Sequence, residues 1–92
     1  VLCMMPFDTL EEAIALANNT PYGLASGVFT SSLSTAHRAA AEIRAGSVWI
    51  NCYAMLDEAM PTGGYRQSGW GREAGRQGIE ELTQTKSVVA SL

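Results

Sequence analysis

The strongest constraint on the fold is an alternation of short apolar runs with helix-forming segments, joined by connections of only a few residues. The apolar runs at 1–5, 22–30 and 47–51 are predicted to be strands, and the first of them, stopped by Pro6, is predicted to be buried. A helix-forming segment follows each of the first two runs. The order β-α-β-α-β therefore predicts an α/β fold in which helices cover a parallel sheet.

Both helix-forming segments carry start and stop signals. Asp8 and Thr9 are candidate N-caps of the first helix, with Glu11 and Glu12 at capping-box spacing, and the helix is expected to end before Pro21. Serines begin the second helix and a glycine is placed to close it. The predicted inward-facing stripes are Leu10, Ala13, Ile14 and Ala17 in the first helix and Leu33, Ala36, Ala40 and Ile43 in the second.

The chain changes character after Asn51. The next twenty or so residues form an irregular stretch with aromatic side chains, and loops of this length inside a compact domain are usually functional. A short helix is predicted over 73–82, with Ile79 and Leu82 as its apolar contacts. Residues 86–92 are predicted to form a closing strand with no obvious partner.

The irregular stretch contains one glycine motif that could indicate dinucleotide binding. Residues 69–74, GWGREA, fit the pattern G-x-G-x-x-[GA], which cradles a dinucleotide pyrophosphate when a strand precedes it and a long helix follows. Turn-forming residues precede it here, glycines weaken the helix after it, and no acidic residue lies about 20 positions further on. The glycines are instead expected to let the backbone lie close to another segment or to a neighbouring domain.

The composition limits the function classes. Hydrophobic residues make up 47% of the chain, which indicates a core, whereas charged residues make up only 16%, which indicates that something else covers part of the surface. The net charge of −3 argues against nucleic-acid binding. No apolar run approaches the roughly 20 residues of a membrane span, and no signal peptide is recognisable.

The single histidine and the two cysteines do not form a metal-ligand cluster. Cys3 and Cys52 are expected to be buried thiols in a reducing compartment, which favours a cytoplasmic location, and nothing in their spacing favours a disulfide. His37 is expected to face solvent or to cap a helix. Asp57 and Glu58 are adjacent loop acids with an exposed character, and neither is expected to be a general base.

Four blocks of sequence stand in a fixed order, EEAIALANNTPYGLASGVFT, AGSVWINCY, PTGGYRQSGWGREAG and TKSV. Together they resemble the C-terminal end of the NAD(P)-dependent aldehyde dehydrogenases, and the resemblance covers nearly the whole chain. It implies that residues 1–83 are the last part of a parallel-sheet catalytic domain. It also implies that residues 84–92 are an oligomerisation strand.

The resemblance implies an enzyme that oxidises an aldehyde to a carboxylic acid with NAD or NADP. In the family a cysteine thiolate attacks the carbonyl, hydride passes to the nicotinamide, and a glutamate-activated water hydrolyses the thioester. The nucleophile, the base and the cofactor loop lie upstream of this region, so no catalytic or cofactor-binding residue is expected in this chain. The implied partners are the rest of the dehydrogenase polypeptide, the aldehyde, and further copies in a dimer or tetramer.

In the family, the loop after the third strand borders the aldehyde tunnel. Matching residue by residue places Ala54, Leu56 and Thr62 on the tunnel wall. Thr62 stands where the family frequently has an aromatic residue in P-F-G-G, so the resemblance implies a wider tunnel with less apolar surface. The identity of the aldehyde stays open, with betaine-aldehyde-type enzymes as one class among several.

The same matching assigns Arg72 and Glu73. Arg72 and Glu73 are implied to belong to a network that joins the following helix to the catalytic domain, and the alternative is a solvated pair at a helix start. Apart from this matching, Trp49 and Tyr53 are expected to pack in the core and the pocket, and Cys3 and Cys52 to be core or pocket-wall residues.

Two other hypotheses remain open. One is a non-catalytic module that uses the same fold for assembly, with the exposed last strand as its adhesive edge. The other is a free nucleotide-binding domain, which the context of the glycine motif disfavours.

Overall fold

A computed structural model describes residues 1–92 and confirms the α/β class. The first half of the chain forms two helices and two strands, which are α1 (Leu10–Asn18), β1 (Ala25–Val28), α2 (Leu33–Glu42) and β2 (Ser47–Ile50). The second half contains only a 3₁₀ turn (Arg66–Ser68) and a short helix, α3 (Gly75–Glu80). Regular structure is therefore concentrated before residue 51.

The two strands are parallel, as predicted, and α2 connects them. Ala25 pairs with Ser47 and Val28 with Ile50, so the register is continuous along both strands. The backbone N–H of Asn51 donates to the Val28 carbonyl (2.8 Å), which extends the pairing by one further bond. Since parallel strands end at the same edge of a sheet, the long loop begins beside the end of β1.

α1 begins at the predicted capping box. The Thr9 hydroxyl accepts the backbone N–H of Glu12 (3.1 Å), and the Glu12 carboxylate accepts the backbone N–H of Asp8 (2.9 Å). These bonds satisfy donors that the start of a helix leaves unpaired. The helix ends at Asn18, with Asn19 as its C-cap, before Pro21 as expected.

Small side chains form most of the core. Ile14 of α1 and Ala36 and Ala39 of α2 are buried. Ala39 lies outside the predicted stripe of α2, whereas Leu33, which belongs to that stripe, is 72% exposed. The buried face of α2 is thus rotated about the helix axis, away from Leu33 and toward Ala39, where alanine lets the helix approach α1 and both strands.

A surface ion pair also joins the two helices. Arg38 of α2 contacts the carboxylates of Glu11 in α1 (2.6 Å) and Glu42 in α2 (2.9 Å). A backbone hydrogen bond, followed by the hydrogen bond from Arg38, lowers the pKa of Glu11, and hydrogen bonds to Glu42 and then to Glu11 raise the pKa of Arg38. All three side chains are solvent-exposed, so this link contributes little to stability.

The segments predicted as strands at the two ends of the chain are not strands in this structure. Residues 1–5 and 86–92 are exposed, and the sheet contains β1 and β2 alone. Their apolar composition suits a strand, but a strand is stable only when its backbone N–H and C=O groups find partners in a neighbouring strand. The chain by itself supplies no such partner to either segment.

The helix predicted over 73–82 forms over a shorter range. α3 spans Gly75–Glu80, and it starts after Ala74, which has a left-handed φ of 58°. The expected apolar contacts of this helix are absent within the chain, since Ile79 is 69% exposed and Leu82 is 89% exposed.

The chain exposes more surface than a compact protein of its size. Its accessible area is 7727 Å², whereas a compact monomer of 9.8 kDa would expose about 5,200 Å². Large apolar side chains contribute to the excess, among them Leu2, Phe29, Trp70, Val88, Val89 and Leu92. This open apolar surface agrees with the low charged fraction of the sequence.

We expect Gly46→Ala to destabilise the fold by at least about 1–3 kcal/mol, because a Cβ at this position would overlap the backbone carbonyl oxygen of Gly63. Gly71→Ala is the matched control, since the space around Gly71 is open, and its effect should stay within about 0.5 kcal/mol. Thermal unfolding followed by circular dichroism compares the two. Equal midpoints for Gly46→Ala and the parent would contradict the contact.

Candidate functional site

A cleft of about 470 Å³ lies between β2 and the loop that follows it. The loop leaves the end of β2 at Asn51 and returns to the beginning of the strand at Thr62. Asp57 is the only Asp, Glu, Lys or Arg in the lining, and the other lining residues are Gly46, Ser47, Val48, Trp49, Cys52, Met55, Leu56, Met60, Pro61 and Thr62. The cleft is thus largely apolar, with a single carboxylate.

Hydrogen bonds from Trp49 and within the loop fix the loop over the cleft. The indole Nε1–H of Trp49 donates to the backbone carbonyl of Met55 (2.7 Å), and its ring lies 5.2 Å from the Tyr53 ring, centre to centre. Further along, the Asp57 carboxylate accepts the backbone N–H of Ala59 (2.8 Å). Trp49 and Tyr53 therefore pack against each other and hold the first half of the loop against β2. Trp49 lines the cleft, whereas Tyr53 is 70% exposed and lies outside the lining, contrary to the expectation of core or pocket packing.

The second half of the loop is closed by a short antiparallel bridge. Thr62 and Glu73 exchange two backbone hydrogen bonds of 2.8 Å each. The Arg72 guanidinium donates to the carbonyls of Gly64 (3.0 Å) and Gly71 (2.8 Å) and lies 5.5 Å from the centre of the Tyr65 ring. Arg72 thus stabilises the turn between the two bridge residues. A role for Arg72 and Glu73 in a wider network stays a prediction.

The structure brings two of the three predicted wall residues together. Leu56 and Thr62 line the same cleft from the two halves of the loop. Ala54 is exposed and does not line it; its left-handed φ of 56° turns the chain between Tyr53 and Met55. This conformation costs alanine about 1–2 kcal/mol, so the loop imposes it. Contact of any of the three with a substrate stays a prediction.

The two cysteines differ in their surroundings. Cys52 is half-buried and lines the cleft, as expected of a pocket-wall residue. Cys3 is exposed, contrary to the expectation of a buried thiol, because the segment that carries it packs against nothing in this chain. His37 and Glu58 are also exposed, as expected.

Residues 69–74 do not form a dinucleotide cradle. A 3₁₀ turn precedes them instead of a strand, and α3 begins only at Gly75 and is 6 residues long. Gly69 has a φ of 107°, which a side chain would strain, while the space around Gly71 is open. The predicted close backbone approach involves the motif at Gly71, whose carbonyl oxygen leaves no room for a Cβ on Gly63, and a second one lies between Gly63 and Gly46.

A polar cluster that sequence reasoning missed attaches the loop to the helices. The Asn18 side chain donates to the Glu42 carbonyl (2.9 Å) and accepts the backbone N–H of Arg44 (2.7 Å). The Arg66 guanidinium donates to the carbonyls of Asn18 (3.0 Å) and Thr20. The available signal was an asparagine at the end of a helix, but its partners lie more than 20 residues away in sequence.

A second cleft, of about 570 Å³, lies between α1, α2 and β1 and is lined mainly by apolar side chains. No group of three or more His, Cys, Asp and Glu side chains is arranged to hold a metal ion. None of the helices has the length and apolar content needed to cross a bilayer. Of the two clefts, the one beside β2 contains two predicted wall residues, Leu56 and Thr62, and its loop is fixed by hydrogen bonds.

Comparison with known proteins identifies the family. The model of the aldehyde dehydrogenase family matches residues 1–88. The chain is 53% identical over 89 residues to 4-trimethylaminobutyraldehyde dehydrogenase from Oryzias latipes and 49% identical over 92 residues to betaine aldehyde dehydrogenase from Cereibacter sphaeroides. These alignments cover 97% and 100% of the chain. The chain belongs to the aldehyde dehydrogenase family.

A solved structure shares the same fold. The NAD⁺ complex of an aldehyde dehydrogenase from Bacillus cereus superposes with a TM-score of 0.87 and 50% identity over 91% of this chain. The chain spans only 18–19% of the length of the two relatives and 17% of that solved chain. It therefore corresponds to about a fifth of an aldehyde dehydrogenase.

We expect Trp49→Phe to lower the free energy of unfolding by about 0.5–1.5 kcal/mol, because phenylalanine cannot donate to the Met55 carbonyl. Trp70→Phe is the matched control, since Trp70 is 93% exposed, and its effect should stay within about 0.5 kcal/mol. Denaturant unfolding of the two variants measures the difference. Indistinguishable midpoints would show that the indole bond does not hold the loop.

Proposed function

We propose that this chain works as part of an NAD(P)-dependent aldehyde dehydrogenase that oxidises an aldehyde to a carboxylic acid. Its own contribution is a wall of the substrate channel, formed by the cleft beside β2. The observation that carries the proposal is the meeting of Leu56 and Thr62 in one largely apolar cleft, under a loop fixed at both ends. Family membership supports the reaction class.

We assign no cofactor contact to this chain. The one motif that could cradle a pyrophosphate lacks the preceding strand and the long following helix, so its geometry does not fit a dinucleotide. The NAD⁺ complex of the Bacillus cereus relative supports a nicotinamide cofactor for the whole enzyme. NAD or NADP would then be bound by residues outside these 92.

The proposed wall acts by shape and by exclusion of water. Met55, Leu56 and Met60 present flexible apolar side chains, which can adapt to the aldehyde's substituent and keep water from it. Thr62 adds a small side chain at the end of the loop that is fixed by the bridge to Glu73. Because the side chain at 62 is small, this wall leaves room for a bulky substituent.

The names of the relatives suggest candidate substrates without deciding between them. Two relatives about 50% identical to the chain are named for betaine aldehyde and 4-trimethylaminobutyraldehyde, which both carry a bulky trimethylammonium group. A channel with room beside Thr62 is compatible with such a group. We therefore include both aldehydes among the test substrates, together with neutral aldehydes.

A carrier enzyme allows the wall to be tested. It is a complete aldehyde dehydrogenase polypeptide in which residues 1–92 occupy the place of the matching segment. Within it, we expect Thr62→Phe to lower kcat/KM for bulky aldehydes relative to small ones by roughly 10- to 200-fold, because the ring would fill part of the cleft. Initial rates of NADH or NADPH formation with a size series of aldehydes measure the change.

Thr62→Val is the matched control for this experiment, since valine keeps the shape of threonine and replaces only its hydroxyl with a methyl group. Thr62→Val should leave the ratio of kcat/KM for bulky and small aldehydes unchanged. Cys52→Ser should retain measurable turnover, because the nucleophile is assigned outside this chain. Equal effects of Thr62→Phe on small and bulky aldehydes would remove Thr62 from the wall, and abolished turnover in a folded Cys52→Ser enzyme would contradict the assignment of the nucleophile.

We further propose that residues 86–92 pair with a neighbouring subunit in a homodimer or a dimer of dimers. The segment is exposed, and it carries three apolar side chains, Val88, Val89 and Leu92. An unpaired apolar strand is a template for another chain. The rival function, a non-catalytic assembly module, would keep this pairing but would give no aldehyde-dependent turnover in the carrier enzyme.

Deletion of 87–92 from the carrier enzyme is expected to lower its assembly state, as measured by light scattering at fixed concentration. Val89→Pro should act in the same direction, because proline removes a backbone donor from the proposed ladder. Val89→Ala is the control, since alanine keeps that donor. A truncated enzyme with the mass and thermal midpoint of the parent would exclude an assembly role.

A further inference from the structure

The 3₁₀ turn that follows the cleft is attached to the end of α1 by a series of hydrogen bonds, here named the loop anchor (residues 65–68 against 18–23). The Arg66 guanidinium donates to the carbonyls of Asn18 (3.0 Å) and Thr20, and the backbone N–H of Gln67 donates to the Pro21 carbonyl (3.0 Å). The acceptors lie at and just after the end of α1, where carbonyls lack partners within the helix. Arg66 therefore caps the helix with a group from the loop.

Two further bonds complete the loop anchor. The Tyr65 backbone N–H donates to the Gly23 carbonyl (2.8 Å), and the Gly23 backbone N–H donates to the Ser68 hydroxyl (3.0 Å). Gly23 is buried, and a Cβ there would lie 2.7 Å from the Arg44 carbonyl oxygen. The loop anchor is thus bonded to Gly23, where the backbone packs closely against Arg44.

The loop anchor is continuous with both helices. The Asn18 side chain bonds to the Glu42 carbonyl (2.9 Å) and to the Arg44 backbone N–H (2.7 Å), so the ends of α1 and α2 meet at this residue. Arg66 holds the Asn18 carbonyl from the other side. A movement of Arg66 relative to the helices would break bonds at this junction.

The backbone at Arg66 is held in an unfavourable conformation. Its φ of 53° lies in the left-handed region, which costs a residue other than glycine roughly 1–2 kcal/mol. Such a conformation persists where the surrounding structure over-determines it. Here the conformation is held by the guanidinium bonds together with the backbone bonds of the two neighbouring residues, Tyr65 to Gly23 and Gln67 to Pro21.

A short and closely packed path leads from the loop anchor to the cleft. Tyr65 is three residues from Thr62, and the intervening Gly64 is buried. Gly63 packs against Gly46 at the start of β2, with no room for a Cβ on Gly46. The path has little freedom to absorb a displacement, so a shift of the anchor would move Thr62.

We propose that Arg66 is a positioning residue that sets the place of Thr62 in the cleft wall through the loop anchor, and thereby the size of aldehyde that the cleft accepts. The proposal rests on the channel-wall function proposed above. Arg66 itself lies outside the cleft lining. Its influence passes through the backbone of residues 62–65.

The test uses Arg66→Ala in the carrier enzyme, with hydrogen–deuterium exchange and kinetics as separate readouts. We expect amide exchange at residues 62 and 73 to accelerate by about tenfold, because their mutual bonds lose support. We expect KM for a bulky aldehyde to change at least about threefold while kcat for a small aldehyde stays constant. Ser68→Ala, a milder change in the same anchor, should give smaller shifts in the same direction.

Arg76→Ala is the matched control, since Arg76 is exposed and pairs only with Glu80 of its own helix. Exchange at 62 and 73 that is unchanged in both Arg66→Ala and Ser68→Ala overturns the proposal, and so do equal effects of Arg66→Ala and Arg76→Ala. If exchange accelerates and the KM values do not move, the positioning role fails; the proposed function fails as well only if Thr62→Phe also leaves the size preference unchanged. If the Arg66 variant does not fold, the same criteria apply to Ser68→Ala.

Discussion

The backbone contact between Gly46 and Gly63 is the constraint on which the cleft depends. It brings the end of the long loop back to the beginning of β2, and no side chain fits between the two segments. The loop must therefore span the length of β2 within the residues between Asn51 and Gly63, and it encloses a cleft as it does so. The Trp49–Met55 bond and the Thr62–Glu73 bridge then fix the two halves of that loop.

Local signals predicted both helices and the parallel strand pair in the first half of the fold, but not the end of α2, where Ile43 and not the expected glycine is the C-cap. The capping box at Thr9 and Glu12 and the end of α1 before Pro21 depend on neighbours in sequence, and both are confirmed. The parallel pairing followed from the order of elements, which short connections allow in few ways. Apolar composition alone could not decide whether 1–5 would be a strand, because that depends on a partner strand that this chain does not supply.

The site was less predictable because its geometry depends on contacts between distant residues. Leu56 and Thr62 line one cleft, whereas Ala54, two residues before Leu56, does not line it, and contact of these residues with an aldehyde stays a prediction. The left-handed conformation of Ala54 has no signal in sequence, since alanine does not favour it. Arg66 and Asn18 meet across 48 positions, and periodicity cannot reveal such a pair.

Because much of the apolar surface is open and few side chains are buried, the contacts that hold the loop beside β2 are made mostly by backbone atoms. With a core of only three buried hydrophobic side chains, two of them alanines, the chain has little side-chain packing with which to hold its loop beyond the Trp49–Tyr53 pair. Glycines that permit close approach, carbonyls capped by Arg66 and Arg72, and the two-residue bridge replace that packing. Hydrogen bonds are directional and the hydrophobic effect is not, so a loop held in this way keeps a defined shape although much of the surface around it is open. The chain by itself can therefore fix the shape of this cleft wall, before another segment or subunit covers the remaining apolar surface.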